Sequence, residues 1–356
     1  MRYSYNQFEV EIKRLRDYIQ EINNHGTLLT KIIKFEKEGK DSSVEELVLE
    51  TKQLLIDYYK KENKVFTYNS IIVSLYGLLE SFIENLIKEY IDYLSQSIPN
   101  YNDLPEPIKN NHYLFSADLI NNLSLPKYKD KITKELIVSN LYSCSNCKGL
   151  KNYTLNIEAF TQHNYNFRDQ TINAFFSAVG VSNITSLLLS FQQFKDYLDN
   201  EDIRPEEAFK LLNDLAERRN RVAHGTEEND ILDLEQLSRY VDYIEKLANC
   251  LNEVIAIQAI PHLVQSGDNI TLLGQPLRIF SDKTLGIELE GVIISKGSTL
   301  FLMREDGKYS STVINSIQIN NDEFTDIDAT KEKFQVAINI SKKIKETDIV
   351  YLVNKC

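Results

Sequence analysis

The chain has no tryptophan, only two methionines and four cysteines among 356 residues. So few cysteines, behind a charged opening (Met1-Arg2-Tyr3-Ser4-Tyr5), exclude a disulfide-stapled secreted framework and point to a reducing cytoplasm. Long apolar runs are missing too. The richest stretch, Tyr68 to Leu94, is interrupted by Glu80, Glu84, Lys88 and Glu89, and falls short of the ~18 residues a membrane span needs. The expectation is a soluble cytoplasmic protein without a membrane. No G-x-x-x-x-G-K-[ST] stretch occurs, which argues against an NTP-driven motor, and no D-x-D pair in a strand context marks a two-metal nuclease. Basic residues are outnumbered 40 to 52, for a net charge of −12. That excludes a general nucleic-acid coat protein, whose whole surface is basic, but not a nuclease with its positive charge confined to one cleft. There is no internal repeat and no low-complexity linker.

What is present is a chain of ordinary globular composition, 42% hydrophobic and 26% charged, long enough for two domains. Up to about Pro261 the pattern is helical, starting with Phe8, Ile12, Leu15 and Ile19 at helix spacing. Further helices are expected near 28–38, 42–62, 66–95, 112–123, 130–143, 169–178, 182–199, 205–224 and 231–260. The segment 66–95 is apolar over most of its circumference and should be central and buried. Between about 97 and 165 the prolines Pro99, Pro105, Pro107 and Pro126 make the pattern less regular. Beyond Pro261 the character changes. Six of the twelve glycines lie between Gly267 and Gly307, and residues 285–290 and 334–340 alternate apolar with polar. Lys296-Gly297 and Asp306-Gly307 read as hairpin turns. The fold class is therefore α+β and multidomain. A predominantly all-helical domain over 1–262, with an irregular insertion at about 97–165, precedes a small β-barrel, SH3-like or OB-like, over 263–356.

The chemistry concentrates in Arg218-Arg219-Asn220-Arg221-Val222-Ala223-His224-Gly225, at the end of one amphipathic helix. At about 100° per residue, Leu212, Leu215, Ala216 and Ala223 form an apolar stripe with Arg219 in its middle. A guanidinium there must be paired, for instance with Glu80 or Glu84, or open onto a polar cavity. Arg218 and Arg221 project away from the stripe as surface charges able to attract phosphate. Asn220 and His224 share a face at i, i+4. His224 sits in the last turn, where the helix dipole favours an imidazolium, and Gly225 is placed to close the helix with a left-handed residue. Arg219 and His224 stand about 140° apart, so they line two walls of a groove or meet counterparts from a second subunit rather than touching.

Arg219-Asn220-x-x-x-His224 on the penultimate helix of an all-helical domain resembles the R-x4-6-H signature of the HEPN superfamily. The helix through Ser74-Leu75-Tyr76-Gly77-Leu78-Leu79-Glu80-Ser81-Phe82 looks like the first core helix of its RiboL-PSP-like branch. A long closing helix from about Ile231, carrying Tyr240 and Tyr243, fits the same order. The resemblance covers roughly residues 1–260. It implies a HEPN-type fold and a metal-independent endoribonuclease, commonly a homodimer and often a toxin or antiphage effector held by an antitoxin or released by a phage-derived trigger. RNA supplies its own nucleophile, the 2′-hydroxyl, so the protein needs only proton transfer and charge stabilisation. In that scheme His224 is the acid/base, Arg219 stabilises the phosphorane oxygens and Asn220 orients the phosphate or imidazole. Arg218 and Arg221 contact substrate, and the products carry 2′,3′-cyclic phosphate and 5′-hydroxyl ends. Two rivals remain open. One is a non-catalytic HEPN-like module that binds RNA or a nucleotide, and the other an adaptor whose arginine is a buried ion pair.

Cys144-Ser145-Asn146-Cys147 is half of a zinc site. Cys250, Cys356, His112 and His163 are available as further ligands but not patterned, so reduced cysteines on a loop are the simpler reading and no cofactor is expected. His25, His112, His163 and His262 read as surface or satisfied core residues.

Overall fold

Helix α3 (Lys61–Ser97) is the core element that its apolar circumference predicts: Ile71, Ile72, Leu75, Leu79, Ile83, Leu86 and Ile87 are fully buried. In the computed structural model, residues 3–37, 45–145, 153–225, 230–267, 270–305 and 307–353 are described. Besides α3 the chain forms α1 (Tyr3–Lys37), α2 (Glu45–Tyr58), α4 (Glu106–Asn121), α5 (Lys134–Ser145), α6 (Asp169–Ser177), α7 (Ile184–Ser190), α8 (Gln192–Asn200), α9 (Lys210–Ala223) and α10 (Leu234–Ser266). The chain divides into two compact units, Met1–Glu89 with Thr161–Val254, and Tyr90–Phe160 with Ile255–Cys356.

In the first unit α1 is one helix where two were expected. A Cβ on its interior Gly26 would stand 2.9 Å from the Tyr59 hydroxyl, so any larger residue there would make that ring shift. That hydroxyl donates to the Ile22 carbonyl at 2.5 Å, tying the turn after α2 to α1. The start of α1 is capped from α3, where Glu89 accepts from the backbone N–H groups of Tyr3 and Ser4. Burial raises the pKa of the Glu89 carboxyl, but these donors and the Ser4 hydroxyl outweigh it and hold the group below the usual glutamate value. The expected helix at 182–199 is two helices, broken at Phe191, whose extended backbone (ψ 123°) ends α7 and starts α8.

The second unit gives the expected insertion a defined core. Asn156 donates to Ser116 Oγ at 3.0 Å and to the Ile137 carbonyl at 3.1 Å, and accepts from Asn140 at 2.9 Å. Its backbone N–H donates to His112 Nε2 at 2.9 Å. One buried amide thus satisfies α4 and α5 together. Pro261 does not end the last helix, which continues to Ser266. The proline deletes a single N–H donor, while Ala259, Ile260 and Leu263 on either side remain buried.

The C-terminal region is all antiparallel but is not the closed barrel expected from the sequence. Its strands are β1 (Ile270–Gly274), β2 (Arg278–Ser281), β3 (Thr284–Leu289), β4 (Ile293–Ser295), β5 (Thr299–Met303), β6 (Tyr309–Ile319), β7 (Asp322–Phe324), β8 (Asp326–Asp328), β9 (Phe334–Ile340) and β10 (Ile349–Val353). They run in the order β1-β10-β5-β6-β9-β3-β2, with β7 added on β6 and β4-β8 as a separate pair. The sheet curls because β6 pairs with β5 through Val313, then passes an irregularity between Ile314 and Ser316 and pairs with β9. Closure fails because β1 and β2 stay unpaired with each other, leaving β2 a short, largely exposed edge. Alternate residues fill the concave side, among them Leu285, Ile287, Leu289, Ile338 and Ile340. The turn at Lys296-Gly297 closes from Ser298 N–H to the Ser295 carbonyl at 2.9 Å, yet it is not a hairpin: β4 pairs with β8, and β5 with β6 and β10.

The sequence expectation about apolar runs also needs correction. Lys61–Ser97 and Leu234–Gln265 are each long and apolar enough to cross a membrane by length and composition, because their charges cluster outside one 18-residue window. About half of each window is buried within the protein itself, as core helices require.

Candidate functional site

Helix α9 delivers the basic cluster, and its two adjacent arginines meet opposite fates. Arg218, expected at the surface, is buried at 6% exposure. Its Nε donates to Asp214 Oδ2 at 2.6 Å, and Nη1 to the Tyr68 hydroxyl at 3.0 Å and the Asp230 carbonyl at 2.8 Å. Nη2 completes the set on Asp230 Oδ2 at 3.0 Å. Asp214 also accepts a very short bond from Tyr240 on α10. Burial alone lowers the Arg218 pKa, but these acceptors raise it well above the usual value, so the cation is locked in place. Burial, reinforced by the Asp214 carboxylate, raises Tyr240 to about 12. The reason for the difference from the helical-wheel reading is that the buried face runs from Leu212 through Leu215 to Arg218, while Ala223 is exposed.

Arg219 is half-buried and has no carboxylate partner among the described residues. Its guanidinium lies over the Tyr76 ring, 5.2 Å from the centroid, and Nη1 donates to Asn166 Oδ1 at 3.3 Å. Asn166 also donates to Asn220 Oδ1 at 2.6 Å, so one asparagine holds both motif residues. The Tyr76 hydroxyl accepts from the Phe167 backbone N–H at 2.8 Å, fixing the segment that carries Asn166. Burial pushes the Tyr76 phenol up to about 12, which keeps it neutral. Glu80 and Glu84, suggested as partners of Arg219, face His163 instead. Its Nε2 is 3.0 Å from Glu84 and 3.9 Å from Glu80, and its Nδ1 is 3.1 Å from the Tyr165 carbonyl.

His224 caps α9, its backbone N–H reaching the Asn220 carbonyl at 3.0 Å, and Gly225 takes the expected left-handed conformation at φ 66°. The imidazole is exposed, and no hydrogen bond joins it to Arg219 or Asn220 among the described residues. Arg221 is half-buried beside them. The motif therefore brings Arg219, Asn220 and Asn166 together and leaves His224 facing outward at the helix end.

The family model of RiboL-PSP-HEPN matches residues 13–256, more than half of the chain. The chain belongs to this HEPN family. The family is associated with RNA and with ribonucleases, and the match spans the whole motif helix. No curated protein and no solved structure gave a match.

In this HEPN domain the residues missed by sequence reading are Asn166, Tyr76 and the clamp around Arg218. Asp214 was legible, since it precedes Arg218 by four residues in the favourable acid-before-base order. Asn166 carried no signal, because it is one asparagine in an irregular segment 53 residues before Arg219. Cys144 is buried and its thiol points to the Thr154 carbonyl at 3.5 Å, whereas Cys147 lies outside the described residues. No group of three or more His, Cys, Asp or Glu residues is placed for a metal among the described residues.

Proposed function

We propose that this HEPN protein is a metal-independent endoribonuclease that cleaves RNA through the RNA's own 2′-hydroxyl. The observation that carries this reading is Arg219: a guanidinium without an ion pair among the described residues, oriented by Tyr76 and Asn166, next to an amide. A non-bridging phosphate oxygen is the natural partner for such a fork, and its developing charge in the phosphorane would strengthen the bond in the transition state. Asn220 has its carbonyl oxygen engaged by Asn166, which leaves its NH2 to point at substrate. His224 carries the proton. Arg221 contributes phosphate attraction, and Arg218 positions α9 rather than touching RNA.

Cleavage needs one group to take the 2′-hydroxyl proton and another to give one to the leaving 5′-oxygen. The motif of each chain holds one histidine, so a homodimer in which two motifs face each other completes the set. We place the protein in the cytoplasm as a toxin or antiphage effector, restrained by an antitoxin or switched on by a phage-derived trigger. The exposure of His224, with no neighbour orienting its ring among the described residues, favours one alternative: a HEPN module that binds RNA through Arg219 without cutting it. Incubating purified protein with total RNA in EDTA separates the two. Fragments ending in 2′,3′-cyclic phosphate, absent with His224→Ala, support the enzyme. Retention of intact RNA supports the module.

A further inference from the structure

The irregular segment before α6 carries Asn166, which holds Arg219 and Asn220, and three residues earlier it carries His163. The His163 side chain is 7% exposed and packs against the ring of Phe167, 4.6 Å between centres, and that of Phe175 on α6, at 5.7 Å. Its Nδ1 is 3.1 Å from the Tyr165 carbonyl oxygen, and its Nε2 is 3.0 Å from Glu84 Oε1 on α3, with Glu80 Oε1 at 3.9 Å. A carbonyl oxygen only accepts, and so does an ionised carboxylate. A neutral imidazole has one N–H and satisfies one of these two close contacts, whereas the imidazolium satisfies both. The protonated ring therefore fastens the segment to α3, two turns along from Tyr76. That tyrosine supports Arg219 with its ring and accepts from the Phe167 N–H with its hydroxyl.

We propose that His163 is a positioning residue for Arg219 and acts in its protonated form. Seated between Glu84 and the Tyr165 carbonyl, the imidazolium holds Asn166 where it orients the guanidinium. Among the described residues, the charged groups facing the ring are Glu80 and Glu84 from α3. Helix α6 meets it with the uncharged Phe175, and its own segment with the Tyr165 ring. Lys88 follows Glu84 by one turn of α3, and Arg168 and Arg219 lie near enough to the Tyr76 hydroxyl to act on it electrostatically. Loss of either ring proton turns a nitrogen lone pair toward an oxygen, a repulsive contact that loosens the segment. Arg219 then keeps its aromatic support and loses its orienting amide. The site thus depends on a proton held away from His224.

Nuclear magnetic resonance on full-length protein with isotope-labelled histidine and asparagine tests this without RNA. At neutral pH both ring nitrogens of His163, assigned with the His163→Gln variant, should carry protons. As the pH is raised and the ring gives one up, the side-chain amide signal of Asn166 should shift with the same midpoint. The consequence for rate, unlike these two measurements, rests on the cleavage reading. Glu84→Gln keeps both contacts of the ring at any pH, since its amide oxygen accepts from the imidazolium and its NH2 donates to the neutral ring. The single-turnover rate of Glu84→Gln relative to wild type should therefore rise about tenfold across the His163 titration, the effect of one positioning hydrogen bond. A His163 ring with one proton at neutral pH, an Asn166 signal indifferent to its titration, or parallel rate profiles in the two proteins would each overturn the proposal. Absence of cleavage by both proteins would instead refute the nuclease, and the two resonance measurements would still decide the role of His163.

Discussion

The guanidinium of Arg219 rests on the face of Tyr76, 5.2 Å from its centre, while the preceding arginine is locked among Asp214, Asp230 and Tyr68. One residue of helical rotation separates a structural cation from one left open to a ligand. Because the two differ in partners rather than in charge, they should respond differently to the same substitution.

Arg218→Ala should act on stability. It removes a buried cation and takes one partner each from Asp214 and the Tyr68 hydroxyl. Loss of one side of a buried pair costs about 3–5 kcal/mol, and here the lower end is expected because Asp230 is 82% exposed. Urea denaturation of Arg218→Ala beside Arg219→Ala checks this. Arg219→Ala should shift the midpoint far less, since it breaks no ion pair among the described residues.

Asn166 offers a sharper contrast. Asn166→Ala removes the tie to Arg219 and Asn220 and is expected to slow cleavage about tenfold, the effect of one positioning hydrogen bond. Asn166→Asp places a carboxylate where Oδ1 now stands, 3.3 Å from Arg219 Nη1. An ion pair there would neutralise the guanidinium, so Asn166→Asp should lose more activity than Asn166→Ala. Single-turnover rates on one RNA decide the order.

Tyr76→Phe keeps the ring under Arg219 but strips the acceptor from the buried Phe167 N–H. The expected cost is about 1–3 kcal/mol, from leaving a buried donor unsatisfied. Cleavage should fall less than with Tyr76→Leu, which removes the aromatic face as well. Thermal melting and initial rates on the same preparations provide the comparison.

The second unit carries a pH dependence of its own. Burial lowers the pKa of His112 to about 4, and its Nε2 must remain unprotonated to accept from Asn156. The unfolded chain, with an ordinary value near 6.5, takes up the proton first as pH falls. The contribution is therefore full above about pH 6.5, is lost as pH drops toward about 4, and levels off below that. The whole loss is about 3 kcal/mol. Urea midpoints measured across this range should decline for wild type, with a flatter profile in a folded His112→Gln variant.

How much of this was legible in the sequence follows from the range of the forces involved. The burial of α3 and the C-terminal cap of α9 are set by residues within a few turns, and both could be read from periodicity and from Gly225, whereas the start of α9 lies at Lys210, after a separate turn at Pro205–Glu207. Arg218 was misplaced because an ideal wheel assigns one apolar stripe, whereas its partners Tyr68, Asp230 and, through Asp214, Tyr240 come from three other places in the chain. Asn166 was invisible for the same reason. Alternation predicts a barrel where the sheet is half-open, because it reports which face is buried, not whether the first and last strands meet. The turn at Lys296-Gly297 has hairpin chemistry, but strand pairing is decided by distant neighbours.

In the proposed reaction Arg219 stabilises charge on a phosphate during metal-independent cleavage. The direct measurement is the single-turnover cleavage rate of wild type and Arg219→Ala in EDTA, with circular dichroism melts of both proteins. A fall of about a hundredfold to a thousandfold is expected, the usual cost of one transition-state donor, at a nearly unchanged melting temperature. Cleavage by a folded Arg219→Ala protein at the wild-type rate, or a wild-type protein that leaves RNA intact in EDTA, would contradict it.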